Sequence, residues 1–256
     1  MSSESVVNVV EHPILFKPEM VQAILDGHKT QTRRIITERN SYYDGGTWPK
    51  LDGGFHAWEE AFVDLGPSPV GNPGPYLQLP YIWTEDGVRG SDRSVHRIYP
   101  RWAVGDRLWV KETWAAHELF DKIKPNDIPI GSVYQDGKMT IDAHGPKTKV
   151  AYRADEDVYH KDDGVGKWRP SIFMPRRFSR IILEITDIRC QRIQEISRED
   201  AIAEGVGCDS SADNKSLDNP CQQFAKLWDS INLQRGYGWY LNSWVFVYSF
   251  ETSVVM

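Results

Sequence analysis

The stretch from Arg180 to Ile193, RIILEITDIRCQRI, constrains the fold more than any other part of the chain. In it Ile181, Leu183 and Ile185 alternate against Ile182, Glu184 and Thr186. A two-residue period belongs to a β-strand, whose successive side chains point to opposite faces. A strand of this length exposes a row of backbone N–H and C=O groups that neighbouring strands must satisfy, so the chain has to build a sheet around it. Material to cover such a sheet is present. Of 256 residues, 40% are hydrophobic and 12% aromatic, with 10 Trp, which supplies a sizeable core and rules out disorder as the main state.

Shorter elements surround the long strand. Pro13 to Phe16 reads as a strand, followed by a helix that Pro18 opens and Gly27 stops, with Met20, Val21, Ile24 and Leu25 at helical spacing. In GDRLWVKETW, Leu108 and Val110 face one way and Arg107, Trp109 and Lys111 the other, and KVAYRA gives a further strand. Ser197 with Asp200 makes a capping-box-like start for a short helix from Arg198 to Glu204, ended by Gly205. Phe224, Leu227, Trp228 and Ile231 form the apolar stripe of a second helix, and WVFVYSFE closes the pattern as a strand. Several strands with few helices predict an α+β or barrel-like domain.

From about residue 40 to 100 the periodicity gives way to Gly and Pro clusters such as LDGG and GPSPVGNPGP, interleaved with Tyr42, Tyr43, Trp48, Phe55, Trp58, Tyr76, Tyr81 and Trp83. A loop-rich insertion of this length is expected to be functional, for instance a lid, or to pack as a second layer of core. A second loop-rich stretch runs from about His117 to Lys147. The expected organisation is one domain over residues 12–256, interrupted by the 40–100 insertion and preceded by a flexible tail at 1–11.

Several function classes are excluded or disfavoured. No apolar run approaches the ~18 residues of a membrane helix, and the opening MSSESVVNVVEH lacks the basic start of an export signal. Cys190, Cys208 and Cys221 are too few and too scattered for a disulfide scaffold, so a cytoplasmic location is expected. Seven dispersed histidines lack metal-ligand spacing, and no nucleotide-binding glycine loop or nucleophile elbow is present, so neither a metal nor a cofactor is expected. A net charge of −6 argues against coating nucleic acid non-specifically. Charge is nonetheless polarised: Lys167 to Arg192 is strongly basic, and Ile193 to Pro220 strongly acidic. That contrast suits a local anion site, while composition alone favours the plainer reading of a solvated face.

The most chemically loaded segment is Gly27-His28-Lys29-Thr30-Gln31-Thr32-Arg33-Arg34. A threonine hydroxyl becomes a nucleophile when a base takes its proton, and a partly desolvated lysine can be that base. In a regular strand Lys29 and Thr32 lie on opposite sides, so pairing them requires a turn or bulge. An exposed polar strand edge is the alternative.

Four blocks of the chain resemble the ASCH-domain family, in its long phage and prophage branch: KPEMVQAILDGHKTQTRR, GDRLWVKETWA, WRPSIFMPRRFSRI, and EISREDAIAEGV followed by FAKLWDSIN and WVFVYSF. The resemblance implies a PUA-like β-barrel with flanking short helices and a cleft for RNA or a modified nucleobase. Short bacterial members of that family are amidohydrolases that deacetylate N(4)-acetylcytidine with a threonine, a lysine and a glutamate. Their G-x-K-T-x-T-x-R motif is matched at Gly27, Lys29, Thr30, Thr32 and Arg34, which implies Lys29 as base and Thr32 as nucleophile. The A-x-x-E step after the long strand, Ala201 to Glu204, implies Glu204 as the third member. An oxyanion donor would come from backbone N–H groups near Thr32, or from Arg33 or Arg34.

This chain departs from the family pattern at Phe173, where the long branch usually has His, and in its closing Trp239-Tyr240-Leu241-Asn242-Ser243-Trp244. A different class of function is a non-catalytic module that binds RNA or a modified base. There Arg169, Arg176, Arg177 and Arg180 would hold phosphates, and Trp114 or Trp168 would stack on bases. A third reading, a phage accessory protein acting in the host cytoplasm, follows only from the company such family members keep, and the sequence names no protein partner.

Overall fold

The computed structural model describes residues 10–37, 41–43, 62–64, 75–79, 96–129, 132–135, 138–141, 150–158, 164–207 and 219–254. Thirteen strands occur among the described residues: β1 (Glu11–Leu15), β2 (Gln31–Ile35), β3 (Ser41–Tyr43), β4 (Phe62–Asp64), β5 (Tyr76–Leu79), β6 (His96–Pro100), β7 (Arg107–Lys111), β8 (Trp114–Ala115), β9 (Ser132–Gln135), β10 (Lys138–Ile141), β11 (Ala151–Tyr152), β12 (Ile181–Arg192) and β13 (Trp244–Val254). The α-helices among them are α1 (Pro18–Leu25), α2 (Arg198–Ala203) and α3 (Pro220–Asn232).

The long strand found in the sequence is β12, and it lies at the centre of a five-stranded sheet of order β1-β7-β12-β13-β2. The expected α+β class is what the chain adopts. Among the described residues this sheet ends at β1 and β2, so it is open and no closed barrel is formed.

The chain divides into two compact units, one comprising Met1–Gly27, Arg107–Leu183 and Thr252–Met256, the other His28–Asp106 and Glu184–Glu251. In the first, β1 runs parallel to β7, and Trp114, Ala116, Phe120, Ile128, Met174 and Phe178 form a buried cluster. Pro18 begins α1, and Gly27, at φ 74°, follows its C-cap in the left-handed region that glycine alone enters without penalty. Of the tail expected to be flexible, residues 1–9 lie outside the described residues. Glu11, by contrast, opens β1 and pairs with Arg176.

In the second unit β2 pairs antiparallel with β13, in a register that sets Thr32 opposite Tyr248 and Arg33 opposite Val247. Ile35, Val245 and Val247 pack with Ile193, Ile196 and Ala201 and with Phe224 and Trp228 of α3, the helix whose apolar stripe the sequence displays. The described parts of the 40–100 insertion form a sheet of their own, of order β3-β6-β5-β4. Short runs such as YLQL and HRIYP, bounded by Gly and Pro, are long enough to pair antiparallel, with Ile98 and Tyr99 buried. Most of the proposed lid falls outside the described residues.

Candidate active site

The second unit carries the candidate site at the junction of β2 and the end of α2. Ser197 accepts a hydrogen bond from the Asp200 backbone N–H, which starts α2 where the capping box predicts. The helix stops at Ala203, leaving Glu204 as its C-cap, and Gly205 follows at φ 89°. Glu204 forms an isolated antiparallel bridge to Lys29, while the Thr30 N–H donates to the Ala203 carbonyl at 2.9 Å and the Thr30 carbonyl accepts from Phe250 N–H at 2.9 Å. The backbone before β2 is thus held from two sides, and the Lys29 side chain is aimed at the helix end.

Lys29 is 1% exposed and Glu204 5%. Lys29 Nζ donates to Glu204 Oε2 at 2.7 Å and to the Glu204 carbonyl at 2.9 Å. The other carboxylate oxygen, Oε1, accepts from Arg33 Nη1 at 3.0 Å, and Arg33 Nη2 donates to Asp200 Oδ2 at 2.8 Å. Arg189 Nη2 lies 3.2 Å from Asp200 Oδ1 and donates to Gln31 Oε1 at 3.1 Å. Lys29, Gln31 and Arg33 share one face of the strand, as their alternation in the sequence requires. The Arg33 guanidinium also lies 5.7 Å from the centre of the Phe224 ring.

Burial pushes the Lys29 ammonium below its ordinary range; the charge and hydrogen bond of Glu204 oppose the shift, and Arg34 and Arg33 add to it. Arg34, likewise lowered by desolvation, lies within electrostatic reach of Glu204, Tyr248 and Arg235. Asp200 is pushed up by partial burial, but the hydrogen bond from Arg189, the charges of Arg33 and Arg189 and a hydrogen bond from Gln31 outweigh this and hold it below the usual carboxylate value. Thr32 is also buried, on the face of β2 alternate to Gln31 and Arg33 and opposite Tyr248, whose ring lies 4.9 Å from that of Trp102, so the regular strand does not by itself bring Thr32 to Lys29.

Lys29 and Glu204, expected as partners, are therefore in contact across 175 positions of sequence. Arg33, expected to contact substrate or an oxyanion, is turned inward and bound to two carboxylates. A guanidinium with no exposed side-chain surface has its donors directed at protein acceptors. Asp200, which the sequence marks as part of a helix cap, has a second role here, and its spacing one helical turn before Glu204 on the same face is the signal for it.

The remaining candidates lie in the first unit, and most are internal ties. Trp114 is fully buried, its ring 5.2 Å from that of Phe178, so no base can stack on it. Arg169 donates to the carbonyls of Ile123 and Phe120, and Arg177 to those of Pro125, Asn126 and Ile128. Arg180 is clamped between Glu112 and Asp155, and Arg176 pairs with Glu11 at the surface. Arg169 and Arg180 are thus committed to internal carbonyls and carboxylates in need of donors, while Arg176 and Arg177 stay at the surface. Trp168 is half-buried beneath the Arg153 guanidinium. Phe173 is 60% exposed and lines an open depression of about 520 Å3 with Lys111, Lys124 and Ile172.

Among the described residues no group of His, Cys, Asp and Glu could hold a metal ion, and no helix is long and apolar enough to cross a membrane. Compared with models of protein families, with curated proteins and with solved structures, the chain matches none.

Proposed function

We propose that this protein is an amidohydrolase acting on an acylated nucleoside such as N(4)-acetylcytidine, built on a PUA-like fold. The observation that carries the reading is the buried contact between Lys29 Nζ and Glu204 Oε2 at 2.7 Å, two residues that the family pattern implies as catalytic partners. Lys29 needs a lowered pKa to act as a base near neutrality, and its burial supplies that direction of shift. Glu204 orients the ammonium and stabilises the charge that forms on it.

In this mechanism Oγ1 of Thr32 attacks the amide carbonyl carbon while its proton passes to Lys29 through one bridging water, since the two side chains leave alternate faces of the strand. Collapse of the tetrahedral species breaks the C–N bond, and the leaving amine takes the proton from Lys29. Water, deprotonated by Lys29, then attacks the threonyl ester, releasing the carboxylate and returning the proton to Thr32. Arg34, on the alternate face of β2 from Arg33, remains the side-chain candidate for stabilising the oxyanion. The alternative of a base-binding module without turnover keeps Trp168, Arg176 and Arg177 at or near the surface but loses Trp114, Arg169 and Arg180, which are buried or bound to internal acceptors.

The test is release of acetate and cytidine from N(4)-acetylcytidine by the wild type, Thr32→Ala and Lys29→Ala. Turnover lost in both variants, with unchanged circular dichroism, supports the mechanism. Turnover retained by Thr32→Ala refutes it.

A further inference from the structure

We infer that Arg33 and Asp200 are positioning residues, forming with Arg189 a chain that ties the Lys29–Glu204 pair to the protein surface and sets the electrostatic environment of Lys29. The inference rests on the reading of Lys29 and Glu204 as catalytic, and assigns roles to residues outside that pair.

Geometry carries it. The guanidinium of Arg33 is a planar fork, and its two terminal nitrogens reach different carboxylates: Nη1 meets Glu204 Oε1 at 3.0 Å and Nη2 meets Asp200 Oδ2 at 2.8 Å. With Oε2 held by Lys29, both oxygens of Glu204 are fixed, and the carboxylate has no rotational freedom left to drift from the lysine. Exposure rises outward along the chain: the side chains of Lys29 and Arg33 are 1% and 0% exposed, that of Asp200 15% and that of Arg189 40%. A buried ion pair is costly when either partner is loosened. Here a second carboxylate, anchored on a capped helix turn, prevents that loosening.

The charged and titratable groups facing the pair come from several elements. Lys29 and Glu204, the C-cap of α2, face Arg33 and Arg34 of β2; Asp200 of α2 and Arg189 of β12 continue outward from Arg33, with Asp187 3.8 Å from Arg189, and Tyr248 of β13 and Arg235 act on Arg34. In this set Asp200 neutralises the outer side of Arg33. Removing its charge leaves the positive field of Arg33 on Lys29 less balanced. Removing Arg189 frees Asp200 to balance Arg33 more fully.

The experiment is an NMR titration of the Lys29 side chain, in full-length protein labelled at the lysine ε-carbon and assigned with Lys29→Arg. It compares wild type, Asp200→Asn, Arg189→Gln and Glu199→Gln. Glu199→Gln removes the same charge from the same turn of α2 at an exposed position outside the chain. Asp200→Asn is expected to lower the Lys29 pKa by about half a unit or more. Arg189→Gln should raise it, and Glu199→Gln should leave it within error of wild type.

Equal shifts in Asp200→Asn and Glu199→Gln, or none in Asp200→Asn and Arg189→Gln, would overturn the inference. Arg189→Gln alters a side chain at the surface, so its result stands even where Asp200→Asn fails to fold. Turnover of N(4)-acetylcytidine by the same proteins separates the two levels of argument. Shifts without turnover in the wild type would sink the amidohydrolase reading and leave the chain standing; turnover without shifts would do the reverse.

Discussion

Glu204→Gln should expose the energetics of the site, because it changes charge with almost no change in volume. The wild-type carboxylate offers one oxygen to Lys29 Nζ at 2.7 Å and the other to Arg33 Nη1 at 3.0 Å. A glutamine has a single acceptor oxygen for these two buried cations and turns an N–H donor toward the other. Breaking a buried pair in this way costs about 3–5 kcal/mol. An independent bound comes from Lys29: avoiding the buried charge by deprotonating at pH 7, from an ordinary value near ~10.4, costs at most about 5 kcal/mol. The midpoint of thermal unfolding should therefore fall by roughly 6–20 °C.

The sign of the pH dependence follows from linkage. In the variant the folded-state pKa of Lys29 drops further below its unfolded value, so between the two the unfolded chain binds more protons and stability rises with pH. The deficit relative to wild type should shrink from pH 7 toward pH 10, while Arg33, which stays charged, keeps it from vanishing. Urea unfolding at pH 7, 8, 9 and 10 measures both. A deficit at pH 7 below about 1 kcal/mol, or one constant across this range, would refute the argument that Glu204 neutralises a buried lysine.

Trp114→Ala, which empties a fully buried site against Phe178, should cost about 3–5 kcal/mol, whereas Phe173→Ala at a 60% exposed position should stay within about 0.5 kcal/mol; chemical denaturation of both checks the contrast. Asn242 has φ 46°, and its Oδ1 accepts the Gln194 N–H at 3.0 Å. Asn242→Ala should therefore lose roughly 1–2 kcal/mol and Asn242→Gly less, and a reversed order would refute the left-handed strain. The Asp200 pKa is held below its ordinary value, so its contribution to stability is present above that value and lost as pH falls through the lowered one. Asp200→Asn should flatten the acid limb of the stability profile below about pH 4, and an unchanged limb would count against the pairing with Arg33 and Arg189.

Local physics made the elements legible. The alternation of RIILEITDIRC needs only the pleat of a strand, and it became β12. Pro18 with Gly27, and Ser197 with Asp200, act within a turn of the helices they bound, so α1 and α2 start where expected. Alternation also put Lys29, Gln31 and Arg33 on one face before any partner was known. In the 40–100 stretch glycines and prolines hide the periodicity, and among the described residues there its short strands pair with one another.

The sequence by itself determined which residues could share a strand face or a helix turn, because backbone geometry repeats every two or 3.6 residues whatever the rest of the chain does. Only the tertiary structure decided what those faces meet. Lys29 and Glu204 are separated by 175 positions, and no periodicity spans that interval; β2 beside β13 and the arrest of α2 at Ala203 bring them together. The basic strip shows the converse. Its arginines follow one another in sequence as a phosphate-binding surface would, yet Arg169 turns to the Phe120 carbonyl and Arg180 to the Glu112 carboxylate, because a buried acceptor left unpaired costs more than an exposed guanidinium gains.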